Sequence, residues 1–247
     1  MFTGILILLA LAPPAKSLDE LESQGYTALR ENDLDRVREI ASTIDEQFPD
    51  NFNAAMASGS LLLRAGIAKE SLIAFDRAAE LQPRQVPYMW QRGIAQYYAG
   101  EHEAGRKQFV VHREVNANDV ENAVWHFMCV ARLNGLEAAR KAYLPAPGDP
   151  RPPLQEVYDL FAGTASIDDV TRAMARFPSD SPAGVSANFY GELYLGMYED
   201  IRGNLPEAES WLRKASARPL TSYMADIARV HLQHVLKQRQ SAVESKP

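Results

Sequence analysis

Residues 86–119 read VPYMWQRGIAQYYAGEHEAGRKQFVVHREVNAND, and the pattern of this stretch decides the fold. Its small, aromatic and proline residues recur at an offset of 34 positions along the chain. The residues related by this offset are Gly25, Gly59 and Gly93; Gly66 and Gly100; Phe75 and Phe109; and Pro49 and Pro83. Several residue types that share one offset indicate internal repeats, and a period of about 34 residues suits a unit of two helices joined by a tight turn.

The recurring residues have physical roles in such a unit. Gly93 lies inside the first helix, where a larger side chain would hold the second helix away, and Phe109 fills the core between the two helices. Gly100 suits the left-handed residue that ends the first helix. Pro83 ends the second helix of the preceding unit, because proline cannot continue a helix. We therefore predict an all-α solenoid of helix–turn–helix units.

The period divides the chain into segments. Three full units and a less regular fourth are followed by five prolines in nine residues, which predict a stiff, extended connector and a break between subdomains. A further clear unit and an amphipathic helix, expected to cap the solenoid on its solvent side, complete the array. The predicted boundaries are 18–51, 52–85 and 86–119 for the full units, 120–144 for the irregular unit, 145–153 for the connector, 154–188 for a helical pair, 189–222 for the last unit, 223–240 for the capping helix and 241–247 for a disordered tail.

The first 17 residues, MFTGILILLALAPPAKS, form a separate hydrophobic leader. The apolar block from Ile5 to Ala12 is too short to span a bilayer and suits the hydrophobic region of a signal peptide. Ala15 and Ser17 offer small residues for cleavage, whereas no lysine or arginine precedes the block. We predict export to the periplasm or cell envelope without a stable membrane span, or a cytoplasmic location if the leader is not a signal peptide.

Charge and cysteine content exclude several classes of protein. A net charge of −6 argues against nucleic-acid binding. The single cysteine, Cys129, excludes an intramolecular disulfide framework and any all-cysteine zinc site. Residues 18–51 contain ten acidic residues against three arginines, so the rest of the chain is nearly neutral. This acidic unit is either a solvated capping repeat or a surface that steers a basic partner.

The units 52–85, 86–119 and 189–222 resemble tetratricopeptide (TPR) repeats. The order of repeats, irregular unit, two short helices and last repeat is similar to that of lipoprotein I-type TPR adaptors of Gram-negative envelopes. That resemblance implies an adaptor that presents proteases and cell-wall hydrolases with partners, although this chain lacks the lipid-attachment cysteine. Four segments also resemble a TPR group of bacteria and plastids: Trp90-Gln91-Arg92-Gly93, Tyr97-Tyr98-Ala99-Gly100, Glu121-Asn122-Ala123-Val124-Trp125-His126-Phe127 and Gly148-Asp149-Pro150-Arg151-Pro152.

In TPR arrays the first helix of each unit lines the concave face, and we expect the partner-binding groove there. Tryptophan, tyrosine, methionine and arginine carry much of the binding energy at protein interfaces. The candidate groove residues are Met56, Arg64, Trp90, Ile94, Tyr97, Tyr98, Met128 and Arg132. We expect a protein or peptide partner, held by the aromatic centre between the two arginines, and no cofactor; a homodimer is also compatible. The alternative is that Trp90 and Tyr97 only pack between neighbouring helices.

A second functional class, an enzyme or enzyme subunit with a solenoid body, depends on two pairs of residues. His231 and His234 share one helical face at a spacing that could chelate a metal. His126 and Cys129 form a pair that could support nucleophilic chemistry. The sequence contains no metalloprotease, hydrolase-elbow or phosphate-loop motif. We therefore predict a non-catalytic protein without a metal site.

Overall fold

Consecutive helix hairpins make up the computed structural model, which describes residues 16–244. These residues contain thirteen α-helices and one 3-10 helix, Pro83–Tyr88, and no β-strand. Each helix packs against its neighbours in sequence, so the described chain is an all-α solenoid. The α-helices are α1 (Leu18–Glu31), α2 (Leu34–Gln47), α3 (Phe52–Arg64), α4 (Ala68–Leu81), α5 (Trp90–Ala99), α6 (His102–His112), α7 (Val120–Asn134), α8 (Leu136–Lys141), α9 (Leu154–Ala162), α10 (Ile167–Met174), α11 (Pro182–Ile201), α12 (Leu205–Ser216) and α13 (Tyr223–Glu244).

Local chemistry explains where these helices begin and end. Ser17 and Ser166 begin α1 and α10 with capping boxes, in which the serine hydroxyl accepts from a backbone N–H that would otherwise lack a partner. Gly100 ends α5 in the left-handed conformation, with φ at 86°. Asn32 takes the equivalent position at the end of α1, with φ at 55°, because asparagine tolerates this conformation better than most residues.

The small residues of the repeat lie at close helix contacts. A Cβ added at Gly93 would lie 2.7 Å from Phe109, and one at Gly59 would lie 2.8 Å from Phe75, so each glycine makes room for the aromatic ring of its own hairpin. Gly25 differs, because the side chain that would meet its Cβ is Leu61 of the next hairpin. The predicted contact between paired helices is therefore present in the second and third units. In the first unit, Gly25 instead makes room for Leu61 of the following repeat.

The third hairpin starts later than the period predicts. Its first helix begins at Trp90, and the preceding residues Pro83–Tyr88 form a 3-10 helix. Pro87 lies inside this 3-10 segment and has no N–H to donate to an α-helical ladder. The shortened α5 carries the tyrosines of the predicted groove on its second half.

The proline-rich connector packs into the core and does not separate two bodies. Ala146 and Asp149 of this segment are buried, and one apolar core extends from α3 to α13 across it. The predicted break at 145–153 is therefore absent. The reason is a set of ion pairs from Arg151, described below, that ties the connector to α7.

Helix α13 folds back over the first helices of earlier hairpins, α3 and α5. It packs against α12 and α11 and also against α3, far back in the chain. Met224, Ile227, His231 and Val235 of this helix are buried. The helix continues to Glu244, so residues 241–244 of the predicted disordered tail are helical.

Two predictions concern the hydrophobic leader and the expected lack of a membrane span. The predicted leader, 1–17, lies outside the described residues except for its last two positions. Within residues 16–244, no helix combines the length and apolar character needed to cross a membrane.

The contact between Gly93 and Phe109 gives a stability prediction with an unusual sign. Replacing a glycine in a helix interior with alanine normally stabilises by about 0.5–1 kcal/mol. Because the new Cβ would lie 2.7 Å from the Phe109 ring, we expect Gly93→Ala to lower the free energy of unfolding by about 1–3 kcal/mol. Urea denaturation measures the change.

A second substitution serves as the control for this prediction. Phe109→Leu replaces the ring that the new methyl group meets with a smaller side chain. Gly93→Ala should therefore be less destabilising in the Phe109→Leu background than in the natural chain. An increase in stability for Gly93→Ala alone would show that the two helices are not in close contact here.

Candidate functional site

The structure places all eight predicted groove residues on the first helices of successive hairpins, α3, α5 and α7. Ile94, Tyr97 and Met128 are buried, and the other five are partly buried. Aromatic contacts join Tyr97 and Tyr98 to Trp125 of α7, with ring centroids 5.4 and 5.8 Å apart. The predicted residues therefore do gather on one face of the solenoid.

Helix α13 covers this face. Arg64 forms an ion pair of 2.5 Å with Asp226, and the ring of Trp90 meets that of Tyr223 edge-on at 4.9 Å. The Arg64 guanidinium also lies over the Tyr223 ring. The arginine and tryptophan expected to hold a partner thus hold a helix of the same chain.

A buried carboxylate lies at the centre of the covered face. Asp200 of α11 accepts from Arg132 of α7 at 2.5 Å and from Gln238 of α13 at 3.0 Å. His231 Nε2 lies 3.3 Å from the same carboxylate, and both side chains are fully enclosed. Burial acts to raise the pKa of Asp200, but His231 and Arg132 outweigh it and hold the pKa below its usual range. The Asp200 carboxylate thereby connects helices α7, α11 and α13.

Two protein groups flank the imidazole of His231. Burial raises the pKa of the Tyr98 hydroxyl well above its ordinary value. This hydroxyl lies 2.9 Å from His231 Nδ1, and the Asp200 carboxylate lies 3.3 Å from His231 Nε2. Each ring nitrogen therefore lies beside a polar group of the protein.

Displacing α13 from the groove would be expensive. Burying one aliphatic side chain contributes about 1.5–3 kcal/mol, and Met224, Ile227, Leu232 and Val235 are all buried. Together they contribute on the order of 10 kcal/mol, comparable to the whole stability of many domains. Helix α13 is therefore an integral part of the fold.

A cleft lies beside the start of α13, with a volume of about 590 Å³. Trp90 and Ile94 of the predicted set line it, together with Tyr88, Tyr190 and Tyr223. The mouth is apolar and exposed: Tyr88 is 59% and Val115 39% accessible. Cavities of about 300–1,000 Å³ with aromatic walls are typical of binding sites. The partner-binding role of Trp90 and Ile94 stays a prediction that this geometry can accommodate.

Acidic side chains line one side of this cleft, around Arg151 of the connector. Arg151 pairs with Asp119 at 2.9 Å, with Asp149 at 2.6 Å and with Glu121. Tyr194 donates to the other oxygen of Glu121 at 2.5 Å. Burial raises the pKa of Glu121, opposed by Arg151 and by the Tyr194 hydrogen bond. Asp119, Glu121 and Arg151 line the cleft, and two carboxylates against one guanidinium leave this side negatively charged.

Two polar atoms in residues that line the cleft have no partner among the described residues. The Oδ1 atom of Asn122 and the Nε1 atom of Trp125 are buried without a hydrogen bond, although Asn122 Nδ2 donates to the Phe109 carbonyl at 3.0 Å. An unsatisfied buried polar group costs about 1–3 kcal/mol. An acceptor and a donor one helical turn apart on α7 therefore lie buried without a partner among residues 16–244.

The residue pairs considered for catalysis occupy unfavourable environments. Cys129 is fully buried, and burial raises the pKa of its thiol far above the usual range, so it stays protonated. Burial lowers the pKa of His126 to about 4, with a further contribution from Arg106. His231 is engaged as described, and residues 16–244 contain no group of three or more metal-binding side chains.

Several residues of the cleft escaped the sequence analysis. Arg151 of the cleft lies in the proline-rich connector, next to its partner Asp149, and this connector was interpreted as a spacer. Tyr88 lies in the 3-10 helix, and Tyr190 on α11 has no counterpart in the 34-residue period. The charged residues between the prolines were the one indication in the sequence that the connector contributes to a site, because a spacer alone does not need them.

The chain matches no protein-family model, and no curated protein matches it in sequence.

Removing the buried charge of Asp200 should lower the free energy of unfolding strongly. Asp200→Asn removes the charge that compensates Arg132, and an unpaired buried charge costs about 3–5 kcal/mol. The exposed pair between Asp35 and Arg38 offers a matched control, since Asp35→Asn should change stability by less than about 1 kcal/mol. Urea denaturation of both variants measures the difference; similar values for the two would contradict the network.

The buried histidines predict a loss of stability in acid. Burial, the largest cause, lowers the pKa of both His126 and His234 to about 4, below the value near 6.5 of the unfolded chain. Protonation therefore favours the unfolded state, and stability present above about pH 6.5 is lost as the pH falls towards 4. The expected loss is on the order of 2 kcal/mol for each imidazole.

The slope of stability against pH tests this account. The double variant His126→Gln and His234→Gln should show a flatter decline between pH 7 and pH 4 in urea denaturation, whatever its stability at pH 7. An unchanged slope would show that these imidazoles are protonated in the folded protein.

Proposed function

We propose that this protein is a non-catalytic interaction protein of the TPR type, an exported adaptor or scaffold that binds a peptide or protein segment. The observation that carries this proposal is the cleft beside α13, which is open, aromatic and large enough for a peptide segment. The 34-residue period and its glycine and phenylalanine positions support the TPR assignment. The hydrophobic leader supports export.

The position of the cleft supports recognition of a partner. Its walls come from α5, α7, α11, the connector and the start of α13, so elements distant in sequence converge on it. Trp90 is fixed by its edge contact with Tyr223, and a side chain already held in place loses little freedom on binding. Rigid aromatic side chains beside an exposed apolar surface are typical of the residues that contribute most of the binding energy.

The alternative of an enzyme has less support. A nucleophile needs an accessible thiolate, and the Cys129 thiol is enclosed and protonated. A metal at His231 and His234 would need a free ring nitrogen, and both nitrogens of His231 face Tyr98 and Asp200. The interaction role uses the exposed features of the protein, and the catalytic role has to rely on buried ones.

Selection of peptides from a displayed random library on the natural chain tests the proposal. We expect the selected peptides to lose at least about tenfold in affinity for Tyr88→Ser, because Tyr88 stands exposed at the mouth of the cleft. Calorimetry with synthetic peptides measures the affinities.

A matched surface variant serves as the control. Ile73 on α4 is 72% exposed and does not line the cleft, so Ile73→Ser should leave affinity unchanged. Selected peptides that bind Tyr88→Ser and Trp90→Ala as well as the natural chain would contradict the cleft as the recognition surface.

A further inference from the structure

The acidic side of the cleft indicates what kind of peptide it takes. We infer that the cleft binds a segment through one arginine or lysine side chain, which enters between the aromatic wall and the carboxylates of α7. This inference rests on the proposed function and adds the chemical identity of the anchoring residue.

Spare acceptor capacity in the cleft favours a basic group. A carboxylate offers about four acceptor sites. Asp119 Oδ1 accepts from Arg151 and from the Glu121 N–H, whereas its Oδ2 accepts from the Asn116 side chain alone. His112 Nε2 lies 4.0 Å from Oδ2, beyond hydrogen-bond range. The Asp119 side chain is also 18% accessible, so an entering N–H can reach it.

The unpaired atoms of α7 add a second, independent requirement. Asn122 is 4% and Trp125 2% exposed; each lines the cleft, and each carries a buried polar atom without a partner among the described residues. Asn122 Oδ1 can accept a further N–H from the basic side chain. Trp125 Nε1 can donate to a carbonyl, which the main chain of the same peptide residue supplies. A peptide residue meets both needs, whereas an isolated inorganic cation supplies no acceptor.

The aromatic wall suits a cation as well. A guanidinium or ammonium group within about 6 Å of a tyrosine or tryptophan ring is attracted by the negative face of the ring. Arg151 already makes this contact with Tyr190 at 5.7 Å, which shows the geometry that the wall supports. Trp90 and Tyr88 offer further rings on the open side of the cleft.

Acidic or neutral side chains would fit less well. An acidic side chain would face Asp119 and Glu121 across a cavity whose lining offers one guanidinium, that of Arg151. A neutral amide could pair with Asn122 and Trp125 but would gain nothing from the net negative charge. The order of affinity expected for the anchoring residue is therefore basic, then neutral, then acidic.

A set of acetylated, amidated heptapeptides tests the inference. They share the sequence alanine-alanine-leucine-X-leucine-alanine-alanine, with X as arginine, lysine, glutamine or glutamate, and calorimetry on the full chain measures binding. We expect the arginine and lysine peptides to bind at least about tenfold more tightly than the glutamine peptide, because a charge-assisted hydrogen bond is about twice as strong as a neutral one.

One variant removes the charge while keeping the fold. Asp119 is the residue that caps α7, and asparagine caps helices equally well. Asp119→Asn should therefore abolish most of the preference for arginine over glutamine without unfolding the protein. Asp45→Asn removes the same charge from a pair with Arg77 on α2 and α4, remote from the cleft, and should leave the preference unchanged.

The outcomes separate this inference from the proposed function. Peptides that depend on Tyr88 but bind equally with arginine and glutamine would overturn the basic anchor and leave the cleft as a peptide site. Equal losses in Asp119→Asn and Asp45→Asn would show diffuse attraction to an acidic protein and would also overturn the anchor. Failure of every heptapeptide to bind, or binding that Tyr88→Ser does not affect, would overturn the inference; the library selection then decides the proposed function separately.

Discussion

The position of α13 against the rest of the solenoid depends on the buried carboxylate of Asp200. This carboxylate accepts from Arg132 and Gln238 and lies 3.3 Å from His231 Nε2, so helices α7, α11 and α13 meet at one charge. Removing any one partner would leave the others charged or unsatisfied in an environment without water. Because the charge has no exposure, the position of α13 is fixed by polar geometry in addition to apolar packing.

The fixed position of α13 determines which surface the protein offers to others. A solenoid of helix hairpins generates a concave face, and here that face is covered along Arg64, Tyr98 and Arg132. The start of α13 and the connector leave a cleft with exposed aromatic residues at its mouth. The same helix that closes the groove thus contributes Tyr223 to the wall of the remaining site.

Much of the fold could be predicted from the sequence because glycine and phenylalanine contacts recur within short, local hairpins, as between Gly59 and Phe75. The cover over the groove could not, since Asp200 and His231 have no counterpart at the 34-residue offset, and the contact between Arg132 and Asp200 spans 68 residues. The connector was misjudged for a similar reason: prolines describe a stiff chain, but the ion pairs of Arg151 decide where that chain packs. Candidate residues were thus located correctly on the helices, while their exposure depended on contacts distant in sequence.

Amide hydrogen exchange of α13 in the full chain tests most directly whether this helix is a permanent part of the groove. The account predicts that the amides of residues 224–235 exchange only through global unfolding, with the same opening free energy as those of α7. An opening free energy for α13 lower than that of α7 by more than about 2 kcal/mol would contradict it. In that case α13 would leave the groove on its own, and the concave face, with Tyr97 and Tyr98, would be free for a partner.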